Sequence, residues 1–552
     1  MVCTLPSGRP GTRTENVAYS QQAYSLQASL MAEVPSFLKE GPSQNPNPKP
    51  VRGNPIAPPG NELAPPGAAA PTRPSATAAS AADDDAPTGS VIAQFETSTG
   101  ERSGPQLDVP LGTTSAQLQL IINSLLANED QVPYSFYVAE QEIAASLGQA
   151  IGDASTEQAI RIVYVPQAVF RVRAVSRCSS TLPGHAESIL SASFSADGRL
   201  LATGSGDHSV RLWDPNTELP KATLKAHRDW VLCIAWSACG RYLLSGGKDG
   251  LVAVWAPPQA EAVKTIRAHN KWVNALAWAP LHTDPEQGRF CSASKDGTAK
   301  VWDRVTGRCL FSLMGHAASV SCVRWGGEGL LFTGSHDRTC KVWAAEDQGK
   351  LVRSLEGHGH WVNCIALSTD AALRRGAFDH RGSAPVDPEA AAAAARKRFE
   401  EVREAGGAEL LASGSDDFTS FLWSPAAGKK PVVRMTGHVQ LVNNVAFSPD
   451  AQWLASASFD GSVRLWAART GKFAATLRGH VGAVYQLCWS SDSRMLASGS
   501  KDSTIKVWDL KTRKLKEDLP GHADEVYSVD WSPDGRHVAT GGKDRNLKMW
   551  RN

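Results

Sequence analysis

The sequence predicts a mainly β protein, an eight-bladed β-propeller that follows a small α+β domain and a disordered N-terminal extension. Three observations predict this fold class. A unit with fixed His, Asp and Trp positions recurs eight times in residues 169–552. Residues 90–168 mix strand and helix patterns, and residues 1–89 are rich in proline and alanine without periodicity, which is typical of disorder.

The repeat is clearest in residues 477–510, LRGHVGAVYQLCWSSDSRMLASGSKDSTIKVWDL. His480 lies 22 residues before Asp502, which lies six before Trp508, and Ser498 lies ten before that tryptophan. Two apolar runs separated by a polar turn fill the interval, and a further run, residues 473–478, precedes the histidine. Short runs bounded by turn residues indicate strands, so each repeat predicts a four-stranded blade.

The same spacing of Asp, hydroxyl and Trp holds in all eight copies, beginning with His185, Asp207 and Trp213. The chain here resembles the WD40 family of β-propellers, whose period of about 40 to 45 residues and Gly-His to Trp-Asp signature it reproduces. The resemblance implies that Trp, Ser or Thr, His and Asp form a hydrogen-bonded chain inside each blade. A catalytic Ser-His-Asp triad would occur once, whereas this set recurs with the fold, so it is interpreted as structural.

Composition restricts the classes of protein. Apolar residues make up 42% and charged residues 20%, as in ordinary globular chains. No run of about 18 apolar residues predicts a membrane span, and the N-terminus lacks the apolar core of a secretory signal. Ten cysteines without a C-x-x-C pair favour reduced thiols in a cytosolic or nuclear protein over disulfides or zinc.

The net charge of +2 conceals an asymmetry. Residues 89–170 carry a net charge of −7, and residues 171–552 carry +10. An acidic head on a basic body indicates two different partners, a cationic or metal-bearing one for the head and a polyanion for the body.

Residues 90–168 predict the small α+β domain. Thr114 and Gln117 form a capping-box pattern, and the apolar residues that follow have helical spacing. Two strands, a helix and further strands is the order of the ubiquitin-like β-grasp fold. The predicted strands are 90–96, 106–109, 134–138 and 160–165.

Two features of the chain path follow from the repeat pattern. Each fourth strand precedes its histidine, but the chain stops two residues after Trp550, so residues 172–182 are expected to complete the eighth blade and cover its edge. The fifth repeat is interrupted by an insertion at about 369–407, in which Asp387 and Pro388 predict the start of a helix. Two interpretations of this insertion stay open, a tolerated surface insertion and a binding element.

The opposite face of the propeller is the candidate binding surface. By the resemblance, it carries the residue before each blade aspartate and those three and five after each histidine. Tryptophans and lysines on one rim fit RNA phosphates and bases or a peptide, and solvated lysines over half-buried aromatics are the alternative. The residues predicted to contact a partner are Trp230, Trp272, Trp361, Lys248, Lys295, Lys501, Lys543, Tyr485 and Tyr527, with Asn274, Asn363 and Asn443 in the same positional class.

Residues 90–552 together are similar to the Notchless family of large-ribosomal-subunit assembly factors, and the resemblance does not cover residues 1–89. The segments that carry the resemblance are VPQAVFRVRAVSRCSSTLPGH, WVNCIALSTDAALRRGAFD and DLPGHADEVYSVDWSPDG. It implies a non-enzymatic protein of the nucleus and nucleolus that binds pre-60S proteins and rRNA through the propeller. It also implies that the head binds midasin, an AAA ATPase; because this chain has no P-loop, the energy for remodelling would come from midasin.

The resemblance assigns one residue of the head to that contact. A Notchless head offers a turn glutamate to the Mg²⁺ of midasin's metal-ion-dependent adhesion site, and Glu129 occupies that position. Mg²⁺ takes oxygen ligands at about 2.0 to 2.1 Å, so one outside carboxylate can complete an open site. From the residues alone, Glu129 and Asp130 are a solvated turn. No cofactor of its own, membrane contact or small-molecule substrate is expected.

Three other function classes make different predictions for the sequence. A substrate receptor of a ubiquitin ligase would be expected to carry Trp-Asp-x-Arg ends, but the chain has WDPN, WDRV and WDLK. A signalling scaffold stays open. An enzyme would need a nonrepeating cluster of reactive groups, which the sequence lacks.

Overall fold

The protein is described by a computed structural model that covers residues 89–97, 100, 102–126, 134–138, 141–143, 147–151, 159–166 and 171–552. The predicted extension, residues 1–89, lies outside the described residues except for Gly89. Within the described part, no helix is long and apolar enough to cross a membrane.

The described residues of the head form a five-stranded mixed sheet and two helices. Its elements are β1 (Ser90–Thr97), β2 (Arg102–Pro110), α1 (Ser115–Leu125), β3 (Tyr134–Val138), β4 (Gln141–Glu142), α2 (Leu147–Ile151) and β5 (Ile160–Pro166). The sheet order is β2-β1-β5-β3-β4, with β1 and β5 parallel. Leu118 and Ile122 of α1 share a buried core with Phe95 and Phe136. The amide of Thr114 donates to the Gln117 side chain at 2.9 Å, which fixes the start of α1.

Eight four-stranded antiparallel sheets follow, and they confirm the predicted propeller. Blade 1 contains β7 (Ile189–Phe194), β8 (Leu201–Ser205), β9 (Ser209–Asp214) and β10 (Leu219–Lys225), and blade 2 contains β11 (Val231–Trp236), β12 (Leu243–Gly247), β13 (Leu251–Trp255) and β14 (Ala262–Arg267). Blade 3 contains β15 (Val273–Trp278), β16 (Arg289–Ser294), β17 (Ala299–Asp303) and β18 (Cys309–Leu313), and blade 4 contains β19 (Val320–Trp325), β20 (Leu330–Ser335), β21 (Thr339–Ala344) and β22 (Lys350–Glu356).

Blades 5 to 8 repeat the pattern with one strand taken from before blade 1. Blade 5 contains β23 (Val362–Leu367), β24 (Leu411–Ser415), β25 (Ser420–Trp423) and β26 (Val433–Met435), and blade 6 contains β27 (Val442–Phe447), β28 (Trp453–Ser458), β29 (Ser462–Ala467) and β30 (Phe473–Arg478). Blade 7 contains β31 (Val484–Trp489), β32 (Met495–Ser500), β33 (Thr504–Asp509) and β34 (Lys514–Pro520), and blade 8 contains β35 (Val526–Trp531), β36 (Val538–Gly542), β37 (Leu547–Arg551) and β6 (Arg177–Leu182).

The first strand of each blade lines the centre of the ring. These strands contact one another from blade to blade, and β35 of blade 8 contacts β7 of blade 1, which closes the circle. Apolar side chains fill the layer between neighbouring blades; Val320 and Val323 of β19, for example, share a buried cluster with Val301 of β17. Burial of these layers supplies the main stabilisation of the ring.

Strand β6 completes blade 8, as the sequence predicts. It pairs antiparallel with β37, with Leu182 opposite Leu547 and Arg177 opposite Arg551. Before it, the Val172 amide donates to the Asp492 carboxylate of blade 7 at 2.8 Å. The strand therefore removes an open sheet edge at the point where the ring closes.

The two faces of the disc differ. We call the face with the loops that hold the blade histidines and aspartates, such as His480 and Asp502, the histidine face. We call the other, with the loops that follow the first strands, the insertion face. The long loop between β23 and β24 forms α3 (Asp370–Arg375) and α4 (Pro388–Gly406) on the insertion face. Asp387 caps α4 by accepting the Ala390 amide at 3.0 Å.

The insertion reaches across the ring. Arg374 donates to Asp530 of blade 8 and to the Phe194 carbonyl of blade 1. Ala395 packs with Ala238 of blade 2 and Leu281 of blade 3. A segment that leaves blade 5 thus contacts blades on the far side of the disc, and it lines a large cavity on the insertion face.

Candidate partner-binding face

The repeated polar residues build the loops of the histidine face. In blade 7, His480 binds the Asp502 carboxylate at 2.9 Å and the Ser498 hydroxyl at 2.7 Å. The Trp508 indole donates to the same hydroxyl at 2.8 Å. All eight blades contain this chain, including His185, Thr203, Asp207 and Trp213 of blade 1.

Electrostatics fit a structural role for this chain. Burial opposes ionisation of Asp502, but the hydrogen bond and charge of His480 outweigh it and hold the pKa of that carboxyl below its usual range. The aspartate also accepts the Val481 amide at 2.9 Å. These hydrogen bonds therefore join the loop that holds the histidine to the loop that holds the aspartate. Residues adjacent to the histidine thus lie near residues adjacent to the aspartate.

Backbone hydrogen bonds set these neighbours side by side. The Lys248 amide donates to the Trp230 carbonyl at 2.8 Å, and the Lys295 amide donates to the Trp272 carbonyl at 3.0 Å. The residue three after a histidine thus lies beside the residue before the next aspartate. This pairing explains why tryptophans and lysines from two loops meet.

One group of these residues forms a continuous strip on blades 2 and 3. We call Trp230, Lys248, Lys271, Trp272 and Lys295 the cationic indole cluster. The Lys248 ammonium lies 4.9 and 5.1 Å from the ring centroids of Trp230 and Trp272, and the Lys295 ammonium lies 3.9 Å from the Trp272 centroid. Burial and the charges of Lys271 and Lys248 lower the pKa of Lys295. Each cation–π contact holds an ammonium group in place on the rim.

Trp361 continues the strip on blade 5. It stacks on His336 with ring centroids 5.0 Å apart and contacts His360 at 4.7 Å. His360 in turn lies 3.4 Å from the Asp416 carboxylate. Burial, together with the positive charges of Lys295 and His360, lowers the pKa of His336 to about 4, so this ring is neutral at pH 7.

The aromatic residues of blades 7 and 8 differ from those of blades 2, 3 and 5. The prediction that Tyr485 and Tyr527 contact a partner needs correction. Tyr485 and Tyr527 are 8% and 2% exposed, because both rings pack into a central cluster with Leu190. The Tyr485 hydroxyl donates to Glu525 at 2.9 Å. The tyrosines therefore support the face from beneath and do not offer their rings to a partner.

The two lysines of this region are neutralised. The Lys543 ammonium lies 3.2 Å from Asp524 and 4.0 Å from Glu525, and the Lys501 ammonium lies 3.9 Å from Glu525. Glu525 occupies the position that holds tryptophan in repeats 2, 3 and 5. Glutamate in place of tryptophan is the sequence signal that the lysines here are paired with carboxylates. The prediction that grouped all four lysines as partner contacts did not use this signal.

The asparagines connect blades. The Asn274 amide group donates to the Val320 carbonyl of the next blade at 2.7 Å, and the Asn443 amide group donates to the Tyr485 carbonyl at 2.6 Å. Asn363 donates both to Asp416 at 2.6 Å and to the Val442 carbonyl at 3.0 Å. These side chains fix the spacing of neighbouring loops on the histidine face.

Glu129, the residue assigned to a partner's Mg²⁺, lies outside the described residues, between α1 and β3. Within the described part of the chain, no group of three or more His, Cys, Asp or Glu side chains is arranged to hold a metal ion. All nine cysteines in that part are free thiols.

Family models match both parts of the chain. The NLE (NUC135) domain matches residues 91–151. The WD domain, G-beta repeat, matches residues 176–214, 219–256, 260–303, 307–344, 349–374, 429–467, 471–509 and 513–551. The propeller match covers more than half of the sequence.

Similar proteins cover most of the chain. Protein Notchless of Drosophila melanogaster is 50% identical over 370 residues, covering 66% of this chain and 75% of that protein. Ribosome assembly protein 4 of Saccharomyces cerevisiae is 45% identical over 399 residues, covering 68% and 78%. A crystal structure of the computationally designed protein Ika8 matches with a TM-score of 0.53 and 26% identity, covering 67% of this chain and 98% of that one. The chain belongs to the Notchless family of WD40-repeat proteins.

Proposed function

We propose that this protein is a non-enzymatic assembly factor of the large ribosomal subunit that acts in the nucleus and nucleolus. The observation that carries the proposal is the 45% identity to a protein named Ribosome assembly protein 4, which extends over about three quarters of that relative. The histidine face supports it, because its repeated polar residues are used for structure and its rim offers cations and aromatic rings. Such a rim suits recognition of a partner better than chemistry.

The propeller is the particle-binding part of this proposal. Its basic balance, +10 over residues 171–552, favours a surface rich in polyanion, and pre-60S particles combine rRNA with protein. Lys501 and Lys543 are paired with carboxylates, whereas the described residues form no ion pair with Lys271 or Lys295 of blade 3. Contact with the particle is therefore assigned to the cationic indole cluster and Trp361.

The head is the midasin-binding part. The family model for the NLE domain matches residues 91–151 of it, and its β-grasp-like order of strands and helix suits a compact ubiquitin-like module. The family resemblance assigns Glu129 to the Mg²⁺ of the adhesion site in midasin. Pulling by the ATPase on this grip would then remodel the particle.

Sedimentation tests the function. A tagged copy of the chain is expected to comigrate with large-subunit precursors in a sucrose gradient, and its depletion is expected to lower the ratio of 60S to 40S subunits. A chain that stays in the free-protein fractions, with an unchanged subunit ratio on depletion, would refute the assignment.

Binding of midasin provides the test for the head. Glu129→Ala and Glu129→Asp should abolish Mg²⁺-dependent binding of the full chain to the isolated adhesion domain, because the first removes the carboxylate and the second shortens its reach. Asp130→Ala is the matched control and should bind as wild type does. Binding that survives Glu129→Ala, or that is unaffected by EDTA, would show the assignment to be wrong.

A further inference from the structure

The ammonium groups of Lys248 and Lys295 lie 5.1 and 3.9 Å from the ring centroid of Trp272. The described residues form no ion pair with Lys271 or Lys295, and the charge of Lys271 acts on Lys295. Their mutual repulsion is visible at Lys295, whose pKa is lowered by burial and by the charges of Lys271 and Lys248. Like charges placed together cost stability, and an anion bound among them would relieve that cost.

The same positions of blades 7 and 8 provide an internal comparison. Lys501 and Lys543 occupy the position before the blade aspartate, as Lys248 and Lys295 do, but Glu525 and Asp524 neutralise them. The backbone geometry is shared, because the Lys543 amide donates to the Glu525 carbonyl at 2.9 Å just as the Lys248 amide donates to Trp230. The difference between the two regions is therefore chemical: carboxylates accompany the lysines of blades 7 and 8, whereas indole rings accompany Lys248 and Lys295.

The strip is also continuous. Because the Lys248 ammonium lies 4.9 Å from one indole centroid and 5.1 Å from the other, the two rings are no more than about 10 Å apart. Trp230 and Trp272 are both partly exposed, and exposed indole rings beside ammonium groups offer surfaces for bases and contacts for phosphates.

We infer that the cationic indole cluster binds single-stranded RNA, with Lys248, Lys271 and Lys295 on successive phosphates. The inference rests on the proposed function and specifies the component of the particle that this part of the histidine face contacts. An acidic protein segment would use the same cations without the ring surfaces. The test therefore includes an acidic peptide as a competitor.

Fluorescence anisotropy of the full chain with a labelled 20-nucleotide oligouridylate, measured from 50 to 300 mM KCl, tests the inference. K248Q/K295Q should weaken binding about tenfold at low salt and reduce the slope of log K against log salt by about 1.4, since each phosphate contact on a single strand contributes about 0.7. K501Q/K543Q removes the same charge from the same face and should bind within about twofold of wild type. Because repulsion is relieved, K248Q/K295Q should also melt at least as high as wild type.

Three results would overturn the inference. Equal losses in the two double variants would indicate general electrostatic attraction without a site. Absence of RNA binding by the wild type, or displacement of RNA by oligoglutamate more effectively than by unlabelled RNA, would indicate an acidic protein partner. If the RNA-binding test fails but the protein still sediments with the precursors, this inference is refuted and the proposed function stands. If the protein binds RNA but does not sediment with the precursors, the proposed function alone is refuted.

Discussion

Single residues decide the chemistry of the histidine face. The residue three after each histidine and the residue before each aspartate are joined by a backbone hydrogen bond, which makes them neighbours in every blade. Trp230 beside Lys248 gives a cation–π contact, whereas Glu525 beside Lys543 gives an ion pair. One substitution at a repeated position thus changes a cationic region into a neutral one.

Glu409 is a buried carboxyl that predicts a pH dependence of stability. It is 4% exposed, accepts the Thr369 hydroxyl and the Gly327 amide, and leaves one carboxylate oxygen without a partner. Burial, with the nearby charges of Glu328 and Asp370, raises its pKa from 4.5 to about 7. Because the folded chain then retains a proton that the unfolded chain releases, stability should fall as pH rises from about 4.5 to about 7.

Glu409→Gln should remove this dependence. The amide stays neutral, so the variant should gain on the order of 3 kcal/mol over wild type at pH 8 and little at pH 4.5, as the pKa difference implies. Urea unfolding at the two pH values measures the change. Glu404→Gln, at an exposed position of α4, is the control and should show no such pH-dependent gain. A gain that is the same at both pH values would contradict the argument.

At the scale of elements, the insertion acts as a strap across the ring. Asp530 is 4% exposed, and its carboxylate is bound by Arg374 of α3 and by the Phe194 amide. Arg374→Met should lower the free energy of unfolding by about 2 kcal/mol, because it leaves a buried carboxylate with one partner fewer. Thermal unfolding measures this effect.

Two further variants make the strap prediction specific. Arg374→Met combined with Asp530→Asn should recover part of the loss, since no uncompensated charge then remains. Arg396→Met breaks only an exposed pair with Glu400 and should leave stability within about 0.5 kcal/mol of wild type. Equal losses for Arg374→Met and Arg396→Met would count against a strap.

Some elements were predictable from the sequence and others were not. Strands β30, β31 and β32 have the predicted starts at Phe473, Val484 and Met495, because alternation and turn residues are local signals. The burial of Tyr485 and Tyr527 was not predictable, since repeat spacing places a residue on a face but the neighbouring blade decides whether its ring points inward. Helix α3 was missed although its sequence carries helix-boundary signals, with Asp370 in the first turn, Arg374 and Arg375 in the last turn and Gly376 after it.

At the scale of the whole molecule, closure of the ring depends on a segment that precedes the first blade. Lys548 of β37 is 8% exposed and donates to the Thr181 hydroxyl of β6 at 2.7 Å. Deletion of residues 1–183 removes β6, exposes this edge and should lower the melting temperature by several degrees, in line with a loss of a few kcal/mol. Deletion of residues 1–89 or 1–168 keeps β6 and should melt as the full propeller does. Identical melting of all three truncations would refute closure by β6.

The central claim is that the propeller holds this chain on large-subunit precursors through blades 2 to 5 of its histidine face. The most direct measurement is the sedimentation profile of tagged wild type, K248Q/K295Q and K501Q/K543Q expressed at equal levels. We expect wild type and K501Q/K543Q to comigrate with the precursors and K248Q/K295Q to shift to the free-protein fractions. The same precursor occupancy for all three proteins would contradict the claim.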